Sequence, residues 1–209
     1  MECSFCPWQH GRPKGTSTMA LEIERRFLVA GEAWRPLVVW SQSLDQGYLV
    51  ASAEGPTLRV RSSRSSAAVT RAASSGGPAG AGDSAEAWLT LKLAATGIAR
   101  HEYEYAIPPG DGLALLGHCG SRLVKRRHGL NLPGGDWVLD VFEGANAPLV
   151  IAEVELERED QPVAIPPWCV REITGEGAFS NAALASHPFE QWPSEERQPV
   201  LRSLATIPF

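Results

Sequence analysis

No stretch of this sequence approaches the roughly 20 consecutive apolar residues of a membrane-spanning helix, which argues against a helical membrane protein. Residues 1–18 lack the apolar core of a secretion signal, so a cytoplasmic location is expected. Excess positive charge is also missing. The formal net charge is -5, which excludes bulk nucleic-acid binding and requires any anion site to be a local concentration of Lys and Arg. Cysteine is scarce, at four residues: Cys3, Cys6, Cys119 and Cys169. Cys3 and Cys6 form a CxxC with His10 nearby, but no second ligand pair follows at zinc-site spacing. Residues 1–18 are therefore read as a disordered extension, with Met19 as an alternative start. His101, His118, His128 and His187 show no ligand spacing either, and no internal repeat is present. Nothing in the sequence sets an oligomeric state.

What is present is a chain of 209 residues, 44% hydrophobic and 21% charged, enough for one sizeable core. Period-two alternation appears in "LEIERRFLV" (21–29), "QGYLVA" (46–51), "TLRVRS" (57–62), "AWLTLKLA" (87–94) and "HEYEYAI" (101–107). It recurs in "SRLVKRRHG" (121–129), "DWVLDVFEG" (136–144) and "VIAEVELER" (150–158). That makes about eight strands. Weak helical patterns lie at 31–40, 111–118 and 180–186. Residues 62–87 are rich in Ser, Ala and Gly without hydrophobic periodicity, and read as a flexible insertion in a hairpin. The organised domain is placed at 19–190, with 191–209 as a tail. Trp168, after Pro166 and Pro167, reads as an outer-core anchor.

The parity of these strands is informative. One set of alternate positions carries Glu22, Glu24, Arg26, Arg59, Arg61, Lys92, Glu102, Glu104, Lys125, Arg127, Asp140, Glu153 and Glu155. The opposite set carries Ile23, Phe27, Leu58, Val60, Leu91, Leu93, Tyr103, Tyr105, Val124, Leu139, Val141, Val154 and Leu156. Adjacent strand residues point to opposite faces, so the charges segregate onto one face and the apolar residues onto the other. A lipid-embedded barrel would turn Arg25 and Arg126 toward lipid and is set aside. Two architectures remain from the pattern. One is an open antiparallel sheet with a solvated face. The other is a closed soluble barrel with a charged lumen, in which acids, bases and bound ions satisfy one another. Such a lumen would take a polyanion on its basic wall and divalent cations on its acidic wall.

The chain resembles a known family. "EIERR" (22–26) is similar to the ExExK signature of the CYTH, or triphosphate tunnel metalloenzyme, superfamily. "DQGYL", "LRVR", "LTLK", "HEYEY", "LVKRR", "VLDVF", "IAEVELE" and "PPWCVREIT" follow in the order of its small bacterial members. The resemblance implies a mainly β (α+β) fold, a closed eight-stranded antiparallel barrel with helices packed outside. It implies a metal-dependent triphosphatase using Mg²⁺ or Mn²⁺, with a small triphosphate, foremost inorganic tripolyphosphate, as substrate and with neither nucleic acid nor membrane as partner. Glu22, Glu24, Glu153 and Glu155 would hold metal, with Asp140 and Glu104 as further or water-mediated ligands. Arg26, Arg59, Arg61, Lys92, Lys125 and Arg127 would cradle phosphate oxygens.

These residue types suit the chemistry. A triphosphate carries about four to five negative charges, and phosphoryl transfer is assisted mainly by positioning and charge neutralisation. Arg forks grip phosphate bidentately, and hard oxygen ligands suit Mg²⁺ or Mn²⁺. The alternatives within the family are a nucleoside or thiamine triphosphatase and a class IV-like adenylate cyclase; outside catalysis, the alternative is a slow triphosphate- or polyphosphate-binding module. Three departures stand out. Arg26 occupies the usual Lys position, which the family links with Tyr48 to water activation, and a guanidinium does not act as a base. Tyr48 itself fits either that catalytic role or plain packing with a hydrogen-bonded hydroxyl. "SNAAL" (180–184) lacks the family's late lysines, and compact members have no counterpart of 62–87.

Overall fold

The computed structural model describes residues 20–51, 55–65, 85–94 and 99–205. The CxxC segment and most of the expected insertion lie outside them. Nine strands form one antiparallel sheet: β1 (Ala20–Val29), β2 (Val38–Ala51), β3 (Thr57–Ser65), β4 (Ala85–Ala94), β5 (Ala99–Ile107), β6 (Ser121–Leu130), β7 (Asp136–Phe142), β8 (Val150–Leu156) and β9 (Cys169–Glu172). Their order is β5-β4-β3-β2-β6-β7-β8-β1-β9, with a further pairing between β5 and β1. Along one edge of β1, Ile23 through Leu28 pair with β8; along the other, Ala20–Ile23 pair with β5 and Phe27–Val29 with β9.

The sequence reading gave eight strands, and the ninth escaped it for a physical reason. β9 is four residues long, too short for an alternation to register, and it is fixed by pairing with the distant β1. The helical reading of 31–40 is also corrected. Gly31 takes a positive φ of 68° where β1 ends, a 3₁₀ turn spans Arg35–Leu37, and β2 then begins at Val38. Val38 and Trp40 pair against Leu130 and Gly129, so cross-strand pairing overrides the local pattern. The two ends of the 62–87 segment that are described are strand. Ser62, Ser63 and Arg64 pair with Ala87, Glu86 and Ala85, which extends the hairpin into the small-residue segment. Small side chains are required there, because a Cβ on Gly112 would come within 2.4 Å of the Ala87 methyl.

That contact seats α1 (Pro109–Gly117), the helix expected near 111–118, on the outer face of the sheet. The outer face is otherwise covered by an aromatic and aliphatic cluster of Ile23, Phe27, Trp34, Trp137, Leu139, Val154, Leu156 and Trp168. Trp168 meets Trp137 edge-on at 6.4 Å between ring centres, the anchoring role read from the sequence. A second cluster lies on the other face, where parity placed only charges. Leu28, Tyr48, Leu123, Phe142 and Ile151 pack with Leu149, Ile173, Phe179, Leu184, Phe189, Trp192 and Val200. The apolar residues of this cluster come partly from α2 (Asn181–Ser186) and α3 (Ser194–Leu204). The segment read as a tail, 191–209, thus carries a helix whose Val200 is buried. The clean segregation by parity holds along the middle of the strands and gives way at one end to this apolar plug. No helix among the described residues is long and apolar enough to cross a membrane.

Candidate functional site

Register, strand by strand, assembles the charged face. Residues directly opposite one another share a face. Arg26 lies opposite Glu153, Arg127 opposite Asp140, Gln42 opposite Arg127, Gln46 opposite Arg61, Tyr48 opposite Arg59, Thr90 opposite both Arg59 and Glu104, and Lys92 opposite Glu102. The predicted residues therefore meet on one surface and form two ion clusters. The side chain of Glu22 lies outside the described residues; its backbone pairs opposite Arg100.

The first cluster is centred on Arg127. Its guanidinium donates to Asp140 through Nε at 2.8 Å and through NH2 at 2.7 Å, and NH2 also reaches Glu153 at 2.7 Å. Lys125 donates to Asp140 at 2.5 Å and to the Asn181 amide oxygen at 3.0 Å. Arg26 donates from Nε to Glu153 at 3.2 Å and from NH2 to the Phe179 carbonyl at 2.8 Å. Lys125 and Asp140 are both fully buried. Burial pushes the Lys125 ammonium down to about 8, against the opposing pull of Asp140. Burial alone would raise Asp140, but Arg127 and Lys125 outweigh it and hold the carboxyl well below the usual range. Glu153 is lowered in the same way: burial would raise it, but Arg127, Arg26 and Lys125 together outweigh burial and the like charge of Asp140.

Glu24 differs. Burial first, and then the negative charge of Glu153, raise its pKa, and its nearest cation, Arg26 Nε, stays at 3.8 Å. Glu155 is exposed at the end of β8, opposite Glu24 and Asp136. An under-neutralised carboxylate beside a second one is the donor chemistry of a hard divalent cation. Asp140 already accepts three hydrogen bonds from two cations. Among the described residues, no group of three or more His, Cys, Asp or Glu side chains is gathered into a ready-made metal cluster.

The second cluster lies across β3, β4 and β5. Arg61 reaches both oxygens of Glu104, at 3.0 and 3.1 Å, and Thr90 donates to Glu104 at 2.9 Å. Arg59 donates to Thr90 at 3.1 Å and stands 3.6 Å from Glu102, which pairs with Lys92 at 3.0 Å. Burial and the like charge of Arg59 push Arg61 down to about 10. The Nε atoms of both arginines are buried without a hydrogen-bond partner. Tyr48 stands at the junction with the apolar plug, 6% exposed, and burial raises its phenol.

Sequence reasoning missed Thr90, Gln46, Asn181 and the Phe179 carbonyl. Thr90 and Gln46 carried a signal, because they share the parity of the charges around them. Asn181 and Phe179 carried none, because they reach Lys125 and Arg26 across 56 and 153 residues of chain.

An antiparallel sheet that gathers alternating Arg, Lys, Asp and Glu from seven strands onto one face, with the neutral polar Gln42 and Gln46 of β2 among them, is the architecture the site presents. The chain belongs to the CYTH domain family, matching it over residues 20–183. It is 32% identical over 176 residues to an inorganic triphosphatase of Acetivibrio thermocellus, covering 83% of this chain and 99% of that one. It is 34% identical over 172 residues to an inorganic triphosphatase of Nitrosomonas europaea, covering 78% and 96%. A crystal structure described as the inorganic triphosphatase NE1496 superposes with a TM-score of 0.52 at 32% identity, covering 81% of this chain and 97% of that one.

Proposed function

We propose that this protein hydrolyses a small triphosphate, with inorganic tripolyphosphate as the leading substrate, with the help of Mg²⁺ or Mn²⁺. The observation that carries the reading is the division of one charged face into two walls. On one, Arg59, Arg61 and Lys92 present cations, two of them with buried N–H groups left over for an anion. On the other, Glu24 and Glu153 stand close enough to repel one another. The β1–β5 pairing supports reading the first eight strands as a closed tunnel with β9 outside the ring. The names of the two relatives support the reaction and the substrate.

In this reading Glu24, Glu153 and Glu155, with Glu22, hold the cation. When bound, the ion supplies charge neutralisation and makes water more acidic. Asp140 anchors Lys125 and Arg127 instead of ligating metal. Glu104 and Glu102 hold the arginines and Lys92 in place until phosphate oxygens compete for them. Arg61 and Arg59 fix the anhydride chain bidentately and take up charge as the terminal P–O bond breaks. Arg26 and Tyr48 do not fit a base: one is a clamped guanidinium, the other a buried phenol whose proton is held more tightly than usual.

The test is phosphate release from tripolyphosphate, ATP and thiamine triphosphate, each with Mg²⁺, Mn²⁺ or EDTA. Metal-dependent turnover with tripolyphosphate as the best substrate is expected. Faster turnover of ATP or thiamine triphosphate would overturn the substrate assignment, and tight binding without turnover would make the protein a binding module.

A further inference from the structure

Gln46 lies on β2 between Leu44 and Tyr48, on the charged face, with Arg61 opposite it on β3 and Leu123 opposite it on β6. Its side chain is almost wholly withdrawn from solvent, at 1% exposure, yet its amide nitrogen has no hydrogen-bond partner. Burial raises the neighbouring Tyr48 hydroxyl, and the Gln46 side chain, after Arg59 and Lys92, is among the groups that lower it, an approach that falls short of hydrogen-bond geometry at the amide nitrogen. A buried donor without a partner weakens a fold, so the amide nitrogen of Gln46 costs stability in the unliganded protein. Two more buried donors on the adjacent strand share its condition, Arg59 Nε and Arg61 Nε. Three N–H groups, two charged and one neutral, thus stand unpartnered on neighbouring strands of one wall.

We infer that Gln46 is a substrate-binding residue whose amide N–H donates to a phosphate oxygen of the triphosphate held by Arg59 and Arg61. The inference rests on the triphosphate reading of the site. The chemistry of the wall selects its occupant. A phosphoryl oxygen is purely an acceptor and satisfies all three donors. A divalent cation would be repelled by the two guanidinium groups, and an apolar group would leave every donor unpaired. Gln46 adds direction without adding charge. It fixes where along the wall a phosphoryl group sits, while the arginines supply the attraction.

Gln46→Leu and Gln46→Met remove the donor at similar volume. Calorimetric binding of inorganic tripolyphosphate, measured with EDTA and again with Mn²⁺, should weaken about 10- to 100-fold in both variants, as for loss of a hydrogen bond to a charged group. The thermal midpoint of the unliganded variants should stay at the wild-type value or rise, because an unsatisfied buried amide has been removed. A merely structural role predicts the reverse pair of results. Affinity within twofold of wild type in both variants, or a lowered midpoint in both, overturns the assignment. A wild-type protein that binds no tripolyphosphate overturns the triphosphate reading and this one with it, so the two failures are read on different proteins.

Discussion

Replacing Arg26 by Lys separates a clamping role from a chemical one. The Arg26 guanidinium points two ways at once, Nε to the Glu153 carboxylate at 3.2 Å and NH2 to the Phe179 carbonyl at 2.8 Å. It is 7% exposed, so water cannot replace a lost partner easily. A lysine ammonium is a single point of donation on a flexible stem and cannot span both acceptors in the fork geometry. Either the Phe179 carbonyl loses its donor or Glu153 is left with Arg127 alone, at a cost of about 1–3 kcal/mol. For a chain of this size each kcal/mol lowers the melting temperature by about 2–4 °C.

The adjacent Arg25 supplies the control. It pairs with Glu172 just as closely, at 2.9 and 2.7 Å, but the two side chains are 27% and 42% exposed. Arg25→Lys should therefore cost no more than about 1 kcal/mol. Urea unfolding of both variants, alongside tripolyphosphate turnover, gives the comparison. Arg26→Lys should be clearly less stable than Arg25→Lys, and its kcat should not rise. If Arg26→Lys is as stable as wild type and its kcat increases severalfold at unchanged metal affinity, the clamp argument fails. A lysine base would then be what the wild-type site lacks.

Glu24→Gln removes a carboxylate whose folded-state pKa is raised by burial and by Glu153. A group raised in this way contributes stability below its unfolded pKa, near 4.3, and loses it as pH rises through the folded value. At pH 7 the variant should therefore be at least as stable as wild type while binding Mn²⁺ more weakly; calorimetry at pH 5 and 7 reads both effects. Lost stability at pH 7 would place Glu24 in a structural pair instead. Shortening residues 66–84 to about four should preserve fold and turnover and stabilise by about 1 kcal/mol, from loop-closure entropy at about 0.6 kcal/mol for each halving of the connection. Deleting all of 62–87 should destabilise, because it strips the pairs of Ser63 and Ala87. Loss of turnover in the shorter deletion, with the melting temperature intact, would assign that segment a role at the site.

Alternation is a local property, and whatever it governs was legible in the sequence. Glu24 and Arg26, Arg59 and Arg61, or Glu153 and Val154, need only their neighbours along the strand to declare which face they take. Strand pairing then repeats that declaration across the sheet, which is why a shared charged face could be read before any contact was known. Parity does not say which charge meets which. Asp140 shares its parity with Glu153, yet it is neutralised by Lys125 and Arg127 while Glu24 is left short of a cation. Nor does parity mark where a face changes character. Leu28, Tyr48, Leu123 and Phe142 sit on the same face as the ions, and only the arrival of Phe179, Leu184, Trp192 and Val200 from the end of the chain makes them a core. Those contacts are set by three-dimensional closure between segments far apart in sequence. The strands and their charged face came from the chain's own periodicity; the tertiary structure decided the plugged end, the clamp on Arg26 and the unpartnered amide of Gln46, because each depends on what packs opposite rather than on what lies beside.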